Sequence, residues 1–338
     1  MENKRLEKIV CGIIKEEMGN NSQDILLSKR GNSLSKNDNN LFFTLSAFHL
    51  ITDDHPELRE TIESNVSKNL DSYKNKDGRL TYNFWRTKPY EQFPNSVILS
   101  KLKHFWIPDD LDCTALSCFF QSREDVLALQ RFLVDYKTVA RKTYDKKSYE
   151  FSGYSTWLGN KMSLEVDVCV ISNYLFLLSS KKIELNKTET SMLLFLEKMI
   201  IDSVWITSPF QVSPNYQKSH IIGWHLSRIS NLYSLQVKSK LISDLKKEEN
   251  RAESFEYEVF TDLALHELSQ PPMFDPLNGQ KKNDFFIDNF TFFRASFLTN
   301  SKYLMIKSFA HLNMFNRSFI CKGFNASIIL KRLTIKVT

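Results

Sequence analysis

The segment HFWIPDDLDCTALSCFF, residues 104–120, places three aspartates between an aromatic cluster and an apolar run. These are Asp109, Asp110 and Asp112. Aspartate is a favourable helix N-cap, and acidic side chains in the first turn interact favourably with the positive end of the helix dipole. The segment therefore predicts a helix that begins just after Pro108. The same residues can also place a carboxylic acid against an apolar pocket.

Apolar residues recur at helical spacing through most of the chain after residue 40. The clearest stretches are 59–73, 124–136, 190–205, 218–234, 255–268 and 302–314. Strand-like alternation is found only in SIILKRLTIKVT, residues 327–338. We therefore expect an all-α protein in which residues 41–338 form one domain.

Residues 1–40 are expected to form a polar N-terminal arm with a short helix. An apolar side is expected for a helix over residues 1–20, formed by Leu6, Ile9, Val10, Ile13 and Ile14, whereas residues 19–40 are rich in Asn and Ser and predict a loop.

The composition indicates a large core and a mixed surface. Of 338 residues, 42% are hydrophobic, and Phe occurs 26 times. The net charge of +6 is a small excess of 45 basic over 39 acidic residues. The basic runs at 135–151 and 239–251 predict solvated helix faces or loops, and no nucleic-acid-binding motif accompanies them. We expect no nucleic-acid partner, while peripheral contact with an anionic membrane surface stays open.

The five cysteines are odd in number and form no C-x-x-C pair, so neither a disulfide framework nor a cysteine-rich zinc module is indicated. Signal-peptide patterning and runs of 18 apolar residues are both missing from the sequence. Motifs for phosphate-binding Gly-rich loops are missing as well. We therefore expect a cytoplasmic protein without a transmembrane segment.

Three segments carry a resemblance to a known fold. They are YKNKDGRLTYNFW (73–85), PDDLDCTAL (108–116) and STWLGNKMSLEVDVCVISNYLFLL (155–178). Their order resembles the α/α toroid proteins, the fold shared by terpenoid cyclases and protein prenyltransferase β subunits, over roughly residues 41–270. The resemblance implies an (α/α)6 toroid, in which two concentric rings of helices surround an apolar cavity.

The sharper similarity is to class II terpene cyclases, which carry an Asp-x-Asp-Asp-Thr-Ala signature. Residues 110–115, DLDCTA, match five of its six positions, and Cys113 replaces the third aspartate. The resemblance implies that Asp112 is the proton donor and Asp110 its partner, acting on a polyprenyl substrate. Protonation of an alkene requires a carboxylic acid that stays neutral until it is used, which burial and a neighbouring carboxylate favour.

Aromatic side chains shield and stabilise the carbocation that such a reaction produces. The candidates for this lining are Tyr82, Phe84, Trp85, Trp106, Tyr154 and Trp157. A purely structural interpretation competes with the catalytic one. A helix cap at Asp110 and Asp112 would lower the carboxyl pKa, and the aromatic residues could serve ordinary packing.

Similarity to the prenyltransferases raises the possibility of a zinc site. In those enzymes an Asp-x-Cys pair and a later histidine bind zinc, and here Asp167, Cys169 and His220 have that order. These donors would leave a fourth position open on tetrahedral zinc. Alternatively, Cys169 is a small core residue and His220 a polar residue near a helix start.

Two further features bear on function. Asp53, Asp54 and Glu57 resemble the carboxylates that hold Mg²⁺ against a diphosphate in class I terpene synthases, but they also fit a loop before a helix. The Phe-rich segment 283–297 can plug a cavity, pack as core or form a partner surface.

A non-catalytic toroid that binds a lipid, glycan or protein is the alternative function. The sequence does not indicate an oligomeric state.

Overall fold

The structure is a computed structural model that describes residues 2–21, 23–30, 37–51, 53–93, 100–101, 106–144, 147–159, 162, 165–248, 254–274, 280–296 and 316–335. Most of them are helical. The helices are α1 (Glu2–Gly19), α2 (Phe42–Leu50), α3 (Pro56–Asn69), α4 (Leu111–Cys118), α5 (Arg123–Leu133), α6 (Val168–Ser180), α7 (Lys187–Ile201), α8 (Val204–Thr207), α9 (Pro209–Val212), α10 (Ser219–Leu232), α11 (Lys238–Glu248), α12 (Phe255–Glu267), α13 (Gln280–Asn289) and α14 (Lys322–Leu333).

The strands form two antiparallel sheets. They are β1 (Lys29–Arg30), β2 (Lys137–Tyr144), β3 (Lys147–Tyr154), β4 (Thr291–Ser296) and β5 (Asn316–Ile320). β2 and β3 form a hairpin, and the other sheet has the order β1-β5-β4.

Six helices contact one another in a closed order, which we call the helix circuit. α2 contacts α4, α4 contacts α6, α6 contacts α10, α10 contacts α12, α12 contacts α14, and α14 contacts α2. A helix that is buried around its circumference belongs to the interior of a protein, and every residue of α4 is buried.

A second helix packs against five members of the helix circuit. α3 lies on α2, α7 on α6, α11 on α10, and α1 on α14, while α13 contacts both α12 and α14. α5 follows α4 in the chain and buries only one side, through Val126, Leu129 and Leu133. One-sided burial is typical of a helix on the outer surface.

The start of α4 is where the sequence predicts it, since Asp110 is its N-cap and accepts a hydrogen bond from the Cys113 N–H at 2.6 Å. The predicted helices at 59–73, 124–136, 190–205, 218–234 and 255–268 are also confirmed as α3, α5, α7, α10 and α12. Residues 302–314 lie outside the described residues.

The expectation of a purely helical protein is wrong, because the described residues include two antiparallel sheets. Residues 137–154 form the β2–β3 hairpin in a run interpreted from its charge as helix faces or loops. Its exposed side carries Lys137, Val139 and Arg141, and these residues obscure the alternation of apolar and polar residues that is typical of a strand. On its buried side, Phe151 packs on Phe195 of α7, with 4.6 Å between the ring centroids. Conversely, the strand-like C-terminal stretch is helical through Leu333.

The N-terminal helix is attached to the rest of the protein. Leu6, Val10 and Ile14 of α1 are buried in the same apolar core as the helix circuit, and α1 packs along α14. Of the other two residues predicted on this side, Ile13 is only partly buried and Ile9 is exposed. After α1, the buried Leu26 donates its N–H to Thr44 Oγ1 at 2.9 Å. The polar arm predicted from composition is therefore packed against α2 and α14 over its described parts.

Candidate active site

The three segments singled out in the sequence meet at the start of α4. The Asp110 N–H donates to Tyr82 O at 3.2 Å, and the Leu111 N–H donates to Thr156 O at 2.8 Å. The side chain of Thr114 also joins α4 to Tyr82, because its Oγ1 accepts a hydrogen bond from the Tyr82 N–H at 2.9 Å. Backbone hydrogen bonds therefore hold the first turn of α4 between the 73–85 and 155–178 segments.

Asp109 has a structural role in this arrangement. Its carboxylate accepts hydrogen bonds from Thr81 Oγ1 at 2.6 Å and from Asn75 Nδ2. Both partners belong to the turn that contains Gly78, whose φ of +80° is a conformation that glycine adopts at little cost. Asp109 thus fixes the turn to α4.

Asp110 is buried at the N-cap of α4, and its pKa is raised, whereas a helix cap alone would lower it. Burial raises the pKa of Asp110 to about 8, and the hydrogen bond from the Cys113 N–H opposes this only in part. The charges of Asp112 and Asp109 raise it further. The sequence argument that a helix start lowers the pKa is wrong here, because desolvation outweighs the cap.

Asp112 points to the neighbouring helices of the circuit. Its Oδ1 accepts a hydrogen bond from Asn173 Nδ2 on α6 at 2.6 Å. Its Oδ2 accepts one from the hydroxyl of Tyr216, a residue just before α10. Burial raises the pKa of Asp112 to about 6, against the lowering effect of these two hydrogen bonds and of the Arg228 charge. A carboxyl with such a pKa exchanges its proton near neutral pH.

The polar network continues from Asn173 into α10. Arg228 Nη2 donates to Asn173 Oδ1 at 2.5 Å and lies 3.1 Å from His225 Nδ1. The Arg228 guanidinium also stacks over the Phe176 ring, 4.3 Å from its centroid. Burial and the Arg228 charge hold the pKa of His225 well below its ordinary value, so this imidazole is neutral.

Aromatic rings cover the Tyr216 side of Asp112. The Tyr216 ring lies 5.3 Å from Phe292 and 5.8 Å from Phe293 of β4, and 6.5 Å from Phe42 of α2. Phe292 extends the cluster to Phe324 of α14 at 4.8 Å. The β4 part of the Phe-rich segment is therefore packed into the protein interior.

This connected set has a member from every helix of the circuit. The members are Phe42 of α2, Asp112 of α4, Asn173 of α6, His225 of α10, Phe260 of α12 and Phe324 of α14. Side chains that reach one cluster from six consecutive neighbours place that cluster inside the helix circuit.

Three of the predicted aromatic residues lie close to this cluster or to its backbone frame. Phe84 stacks on Phe293 at 5.7 Å, with an angle of 20° between the rings. Tyr82 is held by its backbone against Asp110 on one side of the first turn of α4, and Trp157 pairs with Asp110 on the other.

The other predicted aromatic residues contact different groups. Trp85 donates from Nε1 to Asp38 Oδ1 at 2.8 Å. Trp106 stacks on Tyr90 with ring centroids 4.1 Å apart. The Tyr154 hydroxyl accepts from Asn186 Nδ2 at 2.9 Å, at the start of α7. The structure does not bring these three to Asp112.

The proposed zinc ligands serve other contacts. Asp167 is the N-cap of α6 and accepts from the Cys169 N–H at 2.8 Å and from Ser213 Oγ at 2.5 Å. His220 Nε2 lies 3.8 Å from Glu256 Oε2. Within the part of the chain that the structure describes, no three His, Cys, Asp or Glu side chains form a group that could hold a metal ion.

The candidate magnesium carboxylates are at the surface around the start of α3, with Glu57 in its first turn. Asp53 lies 3.9 Å from Arg59, and Glu57 lies 3.9 Å from Lys15, with both carboxylates almost fully exposed. Helix α3 begins at Pro56, as expected for a loop followed by a helix start.

Sequence reasoning did not identify Asn173, Tyr216, His225 or Arg228 as site residues. A signal was present for two of them. Asn173 interrupts an apolar run in 166–178, and Arg228 interrupts the apolar stripe of 218–234. A polar residue on a buried helical face requires partners, so both positions could have been selected by that criterion.

Comparisons of the chain with protein-family models, with curated proteins and with solved structures found no match. Among the described residues, every helix is too short or too polar to cross a membrane.

Proposed function

We propose that the chain is an (α/α)6 toroid that catalyses protonation-initiated cyclisation of a polyprenyl substrate, with Asp112 as the general acid. The observation that carries this proposal is the position of Asp112. It is a buried carboxyl with a pKa near 6, inside the helix circuit and beside the aromatic cluster around Tyr216.

The contacts between helices support the toroid. The helix circuit corresponds to an inner ring, and α1, α3, α5, α7, α11 and α13 correspond to an outer ring. In this arrangement α14, from the end of the chain, completes the inner ring between α12 and α2. The first helix of the chain then becomes its outer partner.

In the proposed reaction, Asp112 transfers its proton to one carbon of a substrate alkene. The O–H electron pair stays on the carboxylate, the alkene π electrons form the new C–H bond, and the adjacent carbon becomes cationic. A second double bond attacks this carbon and closes a ring. The Asp112 carboxylate takes back a proton, either from a carbon next to the final cation or from a water molecule that adds to it, which ends the sequence and restores the acid. Phe42, Phe292 and Phe293 are placed to face such a cation.

The replacement of the family's third aspartate does not remove the acid. The Cys113 thiol is buried, and burial raises its pKa well above the ordinary value, so it adds no negative charge. Desolvation is the largest contribution to the raised pKa of Asp112. Burial therefore keeps the pKa of Asp112 raised without the third carboxylate.

The test is mass-spectrometric product analysis after incubation with farnesyl, geranylgeranyl and longer prenyl substrates, with and without Mg²⁺. We expect a cyclised product that disappears in Asp112→Asn. Asp109→Asn is the matched control, because it makes the same replacement at a buried aspartate three positions away whose partners are Thr81 and Asn75, so product should persist. Product that persists in Asp112→Asn would disprove this mechanism.

A non-catalytic binding protein is the second candidate. Both oxygens of Asp112 accept hydrogen bonds, which favours its ionised form, and Phe292 and Phe293 occupy part of the interior. Native mass spectrometry separates the two functions. An unchanged lipid or prenyl ligand that co-purifies and is never converted would favour binding, whereas product formation would exclude it.

A further inference from the structure

The side-chain amide of Asn173 lies between a cation and a carboxyl group. Arg228 Nη2 donates to Asn173 Oδ1 at 2.5 Å, and Asn173 Nδ2 donates to Asp112 Oδ1 at 2.6 Å. A guanidinium has donors only, so it can face the oxygen of the amide but not its NH₂ group. Arg228 therefore determines the direction of the amide and presents an N–H to Asp112.

The two oxygens of Asp112 consequently have different partners. Oδ1 faces an amide N–H that cannot accept a proton, and a protonated Oδ1 would be a poorer acceptor for it. Oδ2 faces the Tyr216 hydroxyl, which can donate to a carboxylate or accept from a carboxylic acid. Only Oδ2 can carry a proton without loss of a hydrogen bond.

We propose that Arg228 is a positioning residue for Asp112: through Asn173 it reserves Oδ1 as an acceptor and directs the acidic proton to Oδ2, which faces Tyr216. This inference rests on the proposed function only in naming Asp112 as the acid of a reaction. The protonation state of Asp112 can be measured without a substrate.

The environment of Arg228 supports a role beyond packing. The side chain is 6% exposed, and within the described residues no carboxylate lies within ion-pair distance of it. Its charge is offset by the Phe176 and Trp224 rings, by the Asn173 oxygen and, at longer range, by the charge of Glu267 at the end of α12. Burial of a cation is costly, and Asp112 is the acidic group to which its hydrogen bonds lead.

Several titratable groups act on Asp112 from the elements packed against it. Asp167 at the start of α6 raises the pKa of Asp112, whereas Tyr216 and Arg228 lower it. On its own segment, the charge of Asp112 raises the pKa of Asp110. The further groups in this region are Asp109, Cys113, Cys169 and His225, together with two that interact with Arg228, Glu267 of α12 and His49 of α2.

The experiment is a pH titration of Asp112 in the full chain by infrared difference spectroscopy with ¹³C-labelled aspartate. Asp112→Asn identifies the band. Arg228→Met removes both the charge and the donor, and should raise the pH midpoint by about one unit or more. Arg228→Gln keeps a donor for Asn173 and should give an intermediate midpoint. Arg59→Met is the control, because Arg59 also stacks on a ring, that of Phe48, but should leave the midpoint unchanged.

An unchanged midpoint in folded Arg228→Met would overturn the proposal, because a residue with a packing role alone would lower stability without moving the titration. If Arg228→Met does not fold, Arg228→Gln decides: a raised midpoint supports the proposal, and the wild-type midpoint overturns it. Turnover is not needed for either result. Failure of the cyclase assay is thereby distinguished from failure of this inference.

Discussion

The prediction that tests the architecture most directly concerns a buried ion pair between α12 and α14. Arg332 Nε and Nη2 lie 2.9 and 2.8 Å from Asp262 Oδ2, and the two side chains are 2% and 0% exposed. The other carboxylate oxygen accepts from the Met273 and Phe274 N–H groups. The pair therefore fixes α14 to α12 and to the chain that follows α12.

We expect Arg332→Met to lower the free energy of unfolding by about 3 kcal/mol. Removal of one partner from a buried pair costs about 3–5 kcal/mol, because the remaining charge is uncompensated. Two backbone donors still face Asp262, which places the cost at the lower end of this range. Urea unfolding followed by circular dichroism measures the change.

The pH dependence of this loss is a second part of the same prediction. Burial raises the pKa of Asp262, and Arg332 opposes the increase. Without Arg332 the folded protein should bind a proton there more readily than the unfolded chain, so the variant should regain stability as the pH falls. The difference from wild type should be smaller near about pH 5 than near about pH 8.

Arg79→Met is the matched control, because Arg79 pairs with Asp77 at 2.9 Å but both side chains are largely exposed. Exposed pairs contribute about 0–1 kcal/mol, so this variant should unfold almost like wild type. A loss below about 1 kcal/mol in Arg332→Met would refute the reasoning that this pair holds the last helix in the circuit.

Two further predictions concern the interior. Between about pH 6.5 and about pH 8 the free energy of unfolding should fall by roughly 1 kcal/mol per pH unit, because Asp110, with a pKa raised to about 8, holds a proton that the unfolded chain has lost. Asp110→Asn, which keeps an N-cap oxygen, should flatten this slope in urea titrations, and an equal slope would exclude Asp110 as its origin. Phe292→Ala should cost about 3–5 kcal/mol by the same assay, since it opens a cavity among buried rings. The exposed Phe285→Ala should change stability by less than about 0.5 kcal/mol, and similar losses in both would contradict the packed interior.

The helices could be predicted from the sequence because their signals are local. Ser122 and Asp125 form a capping box before α5, and Asn186 and Glu189 form one before α7. The apolar spacing that follows each cap then gives the buried face. These features are independent of where the helix packs, so they survive in an isolated sequence.

The strands could not be predicted because their stabilising partners are distant or polar. β5 pairs with β1 across almost the whole length of the chain, so Lys29 meets Ile320. The β2–β3 hairpin carries Lys and Arg on its outer side. The partner of β1 is therefore not visible in its own segment, and in the hairpin the charged residues interrupt the apolar alternation that would indicate a strand.

The site was predictable only in part, for the same reason. The DLDCTA pattern identifies Asp110 and Asp112, but their protonation depends on groups from other helices. Asn173 and Tyr216 reach Asp112 from 61 and 104 positions away in the chain. No local pattern reports that these side chains meet, and only the buried polar positions in α6 and α10 hint at it.

Three neighbouring aspartates therefore differ in their contacts and pKa values because the docked start of α4 gives each a different environment. Asp109 faces two side-chain donors in the turn, which makes it a structural anchor. Asp110 faces its own helix start but has little contact with solvent, so desolvation dominates its pKa. Asp112 alone projects into the circuit, where the opposing effects of burial and of Tyr216, Asn173 and Arg228 bring its pKa close to neutral. A shift of α4 by one residue would exchange these environments, so the backbone contacts to Tyr82 and Thr156 that fix its register are as necessary to the proposed acid as its own hydrogen bonds.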